Sequence, residues 1–184
     1  YDYLFVDLED APGSTPARAY ADQVKAKLPK IAAAGGEVLG YFTPQLGWVG
    51  RQAALLIRWP PGSKGRDGHA NDLMRGKAVR VGQRGKLTAT LRPAALDRPQ
   101  PGGIYVHRWF VVAPKDVPEF LELSGQGWRD LETRFESKIF GLFTVERTTN
   151  DIRLGGQRLL LITRYKDHGV WEASRDPSTE AMAA

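Results

Sequence analysis

The sequence predicts an α+β protein built from two tandem ferredoxin-like halves, duplicated in the order βαββαβ and packing sheet against sheet as an α/β barrel. Three observations carry this. Residues 1–92 read as strand, helix, strand, strand, helix, strand. A stretch dense in Pro and Gly, Pro93 to Gly103, reads as a linker. Beyond it, over 104–184, the order restarts with a matching kernel of residues.

Tyr3 to Leu8 is a β-branched and apolar run, hence a strand. Pro12 and Gly13 make the turn that follows. Thr15 supplies an N-cap hydroxyl and Pro16 a first helical residue. Ala17, Tyr20, Ala21, Val24, Leu28 and Ile31 then recur at helical spacing and predict one buried face. Pro29 is expected to kink or end this helix, and Gly35 and Gly36 to stop it. Glu37 to Thr43 and Arg51 to Trp59 read as strands, and Pro60 to Gly68 as a loop. A short helix is expected over Ala70 to Val79. Lys86 to Arg92 alternates, with Leu87, Ala89 and Leu91 on one face, and predicts a half-buried strand.

In the second half Ile104 to Val112 reads as a strand. Asp116 is placed to cap a helix, with Pro118 in its first turn. Val117, Phe120, Leu121, Ser124, Trp128, Leu131 and Phe135 mark that helix's face, weakened locally by Gly125 and Gly127. Lys138 to Glu146 and Arg158 to Tyr165 read as strands, and Val170 to Arg175 as the start of a last helix. No strand is expected in the closing stretch Asp176 to Ala184, so the C-terminal strand of the second half is expected to be absent here, either because the sequence stops short of it or because the second sheet has one strand fewer.

The repeat is legible residue by residue. Glu37–Thr43 matches Lys138–Thr144 through a shared glycine, at an offset of 141 − 40 = 101. Tyr20 matches Phe120, Leu28 matches Trp128 and Ile31 matches Leu131, at an offset of 120 − 20 = 100. The strand ending Ile57-Arg58-Trp59 matches that ending Thr163-Arg164-Tyr165, at 164 − 58 = 106. The added residues fall between Thr148 and Gly156, a hairpin connection where insertion costs little.

The chain has no cysteine, which excludes disulfides, thiolate catalysis and cysteine-held metals, and fits a reducing, cytoplasmic setting. No apolar run is long enough to span a membrane. The formal charge is +5, but the basic residues are spread and make no nucleic-acid module, so neither nucleic acid nor membrane is expected as a partner.

Three histidines carry the candidate chemistry: His69, His107 and His168. None is spaced from another as metal ligands are, so no metal site is expected. His69 is expected in a solvated loop and His168 at the surface or capping a helix. His107 sits mid-strand, with Tyr105 and Trp109 on its face by two-residue alternation. If that face turns away from the helices, the three line a ligand pocket, with His107 as proton carrier or haem ligand. The alternative is a hydrogen-bonded histidine in an aromatic-rich sheet. Arg58 and Arg164 stand at equivalent strand ends, each before an aromatic residue. There a guanidinium either fixes a carboxylate or phenolate or simply pairs at the sheet edge. Gly62-Ser63-Lys64-Gly65 lacks the spacing of a phosphate loop.

The second half resembles the NIPSNAP family of the dimeric α/β-barrel superfamily. The likeness rests on the strand Ile104-Tyr105-Val106-His107-Arg108-Trp109-Phe110, on Glu119-Phe120-Leu121, on Gly141-Leu142-Phe143 and on Leu161 to Tyr165 leading to Trp171-Glu172-Ala173-Ser174-Arg175. In the first half Leu91-Arg92-Pro93 is similar to the family's end-of-repeat strand. The resemblance implies a fold more than a reaction, and it leaves a homodimer open. Two functions follow from it. One is a binding or interaction protein holding a small apolar or aromatic ligand in the barrel. The other is an oxygenase or isomerase acting on an aromatic substrate. The residues name no cofactor and leave open whether the protein is an enzyme.

Overall fold

A computed structural model describes residues 1–176. The chain divides into two units, Tyr1–Leu87 and Thr88–Ala184, and each is described in its own terms.

The first unit runs β1 (Asp2–Leu8), α1 (Pro16–Ala33), β2 (Glu37–Phe42), β3 (Gln52–Arg58), α2 (Arg66–Met74) and into β4 (Val79–Ala89). Its strands lie in the order β2-β3-β1-β4, and the pairs are antiparallel. That is the ferredoxin-like arrangement. Strand alternation sets the core: Leu4, Val6 and Leu8 of β1 and Ala53, Leu55 and Ile57 of β3 share one face. Onto that face pack Tyr20, Val24 and Ile31 of α1 and Ala70 and Leu73 of α2. Each large side chain so buried contributes about 1.5–3 kcal/mol.

Thr15 caps α1 as expected, accepting from the Arg18 N–H at 3.3 Å. Pro29 does not end the helix, which continues to Ala33. Pro29 is exposed, so the carbonyl it cannot bond faces water, while buried Ile31 anchors the next turn. Leu28 was expected in the core and is 40% exposed. The stripe that packs is Ala17, Tyr20, Val24 and Ile31, and Leu28 stands roughly 80° round the helix from Tyr20 at about 100° per residue. The second helix lies at Arg66–Met74, earlier than expected, and the end of the expected loop, Arg66 to Gly68, is its first turn. β4 likewise begins at Val79, not Lys86. Its glycines hid it: a Cβ at Gly82 would lie 2.6 Å from the Met74 Cβ, so the strand passes under α2 only without one. Leu91 lies beyond the strand and is half exposed, against the expected burial.

The second unit contains β5 (Ile104–Val112), a 3-10 turn at Pro114–Asp116, α3 (Val117–Arg134), β6 (Ser137–Val145), α4 (Thr149–Arg153), β7 (Gln157–Tyr165) and α5 (His168–Ala173). The strands lie β6-β7-β5, again antiparallel. This is the order of the first three ferredoxin-like strands. The expectation of no strand in the closing stretch falls on residues 177–184, outside the described residues. Asp116 stands at the N-cap position of α3 but its side chain makes no cap hydrogen bond. α3 passes Gly125 and Gly127 unbroken. Of its expected face only Trp128 is fully buried, against Ile139, Leu142 and Leu159; Phe120, Leu121 and Leu131 are half-buried around them. The expected plain hairpin between β6 and β7 holds α4, closed by reciprocal Thr148 and Asp151 bonds.

The matched glycines share one irregularity. The register of β2 on β3 shifts between Val38 and Gly40, and that of β6 on β7 between Ile139 and Gly141. In the second unit Glu132 supports this bulge, accepting the Ile139 N–H at 2.8 Å and an Arg92 N–H at 2.6 Å.

Candidate functional site

β5 pairs with β7 along its whole length, from Ile104↔Tyr165 to Val112↔Gln157. The run of aromatic and β-branched residues explains this continuity. Phe110 packs on Phe120 of α3, ring centroids 5.0 Å apart, and Val112 joins the same core. The even-numbered residues therefore face α3. Tyr105, His107 and Trp109 occupy the other face, as the alternation predicts.

Cross-strand neighbours build that face outwards. Trp109 lies opposite Leu160, and Leu160 opposite Phe143. His107 lies opposite Ile162, and Ile162 opposite Gly141. Leu160, Ile162 and Phe143 are fully buried. Gly141 is glycine for a packing reason: a Cβ there would stand 2.6 Å from Pro93 Cδ and 2.8 Å from the Phe143 ring. His107 thus sits on an apolar floor, and its burial pushes the imidazole pKa down to about 3. It is neutral at any ordinary pH. Trp109 is 45% exposed, so the aromatic row runs from desolvated to wet.

Tyr105 and Arg164 are direct cross-strand partners. Both are tied to the loop before β5: the Tyr105 hydroxyl donates to the Gln100 carbonyl at 2.6 Å, and Arg164 Nε donates to the Gly102 carbonyl at 2.9 Å. Gly103 has φ 81, and a Cβ on it would collide with the Tyr165 carbonyl oxygen. Burial pushes the Tyr105 hydroxyl up to about 12, against the pull of Arg164 and the Gln100 bond. Arg58 belongs to the first unit, where it forms an ion pair with Glu37, its partner across β2 and β3. Four of the five candidates therefore share one sheet face of one unit, and Arg58 is a sheet-edge pair of the other.

His69 is not in a solvated loop. It lies on α2, stacked on Trp59 with centroids 5.9 Å apart and rings inclined at 14°. His168 opens α5 and is exposed, the cap being Asp167. Among the described residues no group of three or more His, Cys, Asp or Glu is placed to hold a metal ion, and no helix is long and apolar enough to cross a membrane.

One cluster escaped the sequence reading. Asp2 is fully buried and is held by Arg66 and Arg84, while Arg84 also donates to Asp67 at 2.6 Å. Alternation alone puts Asp2 on the inward face with Leu4 and Val6, and an inward carboxylate requires a cation. That signal was available. The partners, 64 and 82 residues away, were not.

No protein-family model matches the chain, and no curated protein matches it. Solved structures do. A protein described as "anthrone oxidase-like" matches with a TM-score of 0.57 at 17% identity, over 99% of this chain and 81% of its own. A "Putative monooxygenase" from Fusobacterium nucleatum matches with a TM-score of 0.50 at 11% identity, over the same shares, 99% and 81%. At these identities the likeness shows a common ferredoxin-like α/β fold.

Proposed function

We propose that the protein is a small-molecule oxygenase whose aromatic substrate lies against the Tyr105–His107–Trp109 face of β5. The observation that carries this is His107: a neutral, desolvated imidazole on an apolar floor between two aromatic residues. Such a group accepts a proton once a substrate anion forms beside it, because an opposite charge in a desolvated site raises its pKa. Trp109 offers a stacking face. Arg164, next across the strands from Tyr105, offers positive charge to an enolate or phenolate oxygen. A substrate with a CH₂ group activated by flanking rings, as in an anthrone, suits these groups. The CH₂ loses a proton to His107, and its electron pair forms a C–O bond to dioxygen. Return of the proton gives a hydroperoxide, and loss of water leaves a carbonyl. In sum CH₂ and O₂ become C=O and H₂O, with the substrate as reductant. The names carried by the two structural neighbours support this class of reaction.

The test is oxygen uptake by the purified protein with anthrone, against buffer alone. Uptake with formation of the carbonyl product, lost in His107→Ala while the substrate still binds, is expected. No uptake over buffer, or unchanged uptake in His107→Ala, overturns the reading. A second reading, a carrier that binds the same ligand without turning it over, is favoured by how far the His107 pKa is depressed, which makes the free imidazole a weak base. It is also the role the NIPSNAP-like strand suggests. Saturable binding without oxygen uptake would select it.

A further inference from the structure

The aromatic face of β5 begins beside a fixed cation. Arg164 of β7 stands between Tyr105 of β5 and Lys138 of β6 in one cross-strand row. Its Nε donates to the Gly102 carbonyl at 2.9 Å. Gly102 and Gly103 have φ 70 and 81, and a Cβ on Gly103 would stand 3.0 Å from that Nε and 3.1 Å from Cζ. The loop before β5 therefore turns on two glycines, and its bare backbone lies against the guanidinium. The Tyr105 hydroxyl, donating to the Gln100 carbonyl, ties the same loop from the neighbouring strand.

The bond to Gly102 uses the inner nitrogen alone. Nη1 and Nη2 of Arg164 have no hydrogen-bond partner and no carboxylate among the described residues. Lys138, the next cation in the row, is drawn to Glu132, which Arg92 also holds. The row thus carries two cations and no acid of its own. Its surroundings are partly desolvated: Arg164 and Tyr105 are half-buried, and burial pushes the Tyr105 hydroxyl up to about 12. A guanidinium pinned in this way presents two parallel N–H donors, the match of a group with two oxygens. A lone enolate or phenolate oxygen would fill half of that edge.

We propose, resting on the reading that an aromatic ligand lies along this face, that the ligand is a carboxylic acid whose carboxylate forks onto the outer nitrogens of Arg164. The strand spacing sets where the acid group lies. Two residues along a strand advance about 7 Å, so the Tyr105–Arg164 row stands about 7 Å from the His107–Ile162 row and about 13 Å from the Trp109–Leu160 row. The guanidinium leans further from His107, towards Gly102. The carboxylate is therefore on an outer ring, at the end opposite the one over Trp109 and at least one ring away from the carbon that faces His107.

The experiment compares two unreactive ligands of one shape, anthraquinone-2-carboxylate and 2-(hydroxymethyl)anthraquinone, by quenching of the whole chain's tryptophan fluorescence at pH 7. Neither has a CH₂ between its rings, so binding is read apart from turnover. The carboxylate should bind about tenfold tighter or more, the worth of a charge-assisted fork. Arg164→Gln should bring it down to the affinity of the alcohol. Arg164→Lys, which keeps the charge without the fork, should recover only part of the preference. Equal binding of the two ligands by the parent, a comparison that needs no variant, overturns the proposal. So does a preference that survives in a folded Arg164→Gln protein. If neither ligand binds, the aromatic-ligand reading falls with it. Oxygen uptake with anthrone but no preference between the ligands sinks the acid and leaves the oxygenase standing. A preference without uptake does the reverse.

Discussion

Arg84 grips Asp2 with two nitrogens, Nε to Oδ1 at 2.9 Å and Nη2 to Oδ2 at 2.8 Å, and the aspartate they hold is wholly buried. Arg66 adds bonds to the same carboxylate at 2.8 and 3.1 Å. Burial alone would push the Asp2 pKa up, but the bonds from Arg66 and Arg84 more than offset it and hold the carboxyl below its ordinary 3.8. Removing one partner of a buried ion pair leaves the other uncompensated. Asp2→Asn or Arg84→Leu should therefore cost about 3–5 kcal/mol in urea unfolding. A depressed folded pKa stabilises fully above the ordinary value. The contribution of Asp2 is thus intact above pH 3.8 and is lost as pH falls through the lower folded value. An Asp2→Asn protein as stable as the parent at pH 7 would refute this.

Tyr20 makes the opposite prediction. Its ring is fully buried in the first unit's core, and its hydroxyl has no partner, whereas neighbouring Tyr41 donates to the Ala17 carbonyl at 2.6 Å. Tyr20→Phe removes an unsatisfied polar atom and leaves the ring. It should be neutral or stabilising by about 1 kcal/mol, while Tyr41→Phe should destabilise by a similar amount. Thermal unfolding of both variants decides it. A clear loss of stability in Tyr20→Phe would mean that the hydroxyl is satisfied in solution.

Trp128 and Leu28, matched by sequence, should differ in the same experiment. Trp128 is 7% exposed, with the Arg92 guanidinium 5.5 Å from its ring, and Leu28 is 40% exposed. Trp128→Ala should cost about 3–5 kcal/mol and Leu28→Ala about 1 kcal/mol or less. Equal losses would show that the stripe on α1 is wider than the structure makes it.

The elements the sequence marked well are those whose local chemistry and burial agree. Ile104–Val112 came out with its observed ends because all its residues but His107 and Arg108 favour a strand and both faces are at least partly covered. Thr15-Pro16 marked a helix start for the same reason. Val79–Gly85 and Arg66–His69 were missed because Gly82, Gly85 and Gly68 weaken the periodic signal, and only contact with the rest of the unit explains them. The candidate face was legible as alternation, so Tyr105, His107 and Trp109 fell together. The anchoring of Arg164 to Gly102, and the Asp2 cluster, depend on contacts across 62 and 82 residues. Spacing along the chain carries no trace of those.

Gly40 and Gly141 occupy matched bulges but should not tolerate alanine equally. At Gly40 the added methyl would meet the far end of Phe42, a half-buried ring that can swing aside. At Gly141 it would stand 2.6 Å from the Pro93 ring and 2.8 Å from Phe143, which is fully buried. Overpacking a closed site costs about 1–3 kcal/mol. Gly141→Ala should fall in that range and Gly40→Ala near or below its lower end. A larger loss at Gly40 would show that Phe42 is pinned.

His107 supplies a test of the candidate face that needs no ligand. Its imidazole should stay neutral from pH 8 to about pH 4, because burial holds its pKa near 3 against an ordinary 6.5. The linkage has a definite sign. Below pH 6.5 the unfolded chain binds a proton that the folded chain refuses, so the term is absent above 6.5 and stability declines from there towards pH 3. Carboxylates such as Asp2 and Glu132, held below their ordinary values, add their own losses only at lower pH. His107→Leu should therefore flatten the stability curve between about pH 6.5 and 4.5 and leave the steeper acid limb in place. The His107 ring resonance in the parent should show no step across the same window. A step near pH 6.5, or a variant whose curve runs parallel to the parent's, would mean that the imidazole is solvated. The aromatic face of β5 would then be an ordinary wet surface, and the oxygenase reading would lose the group it depends on.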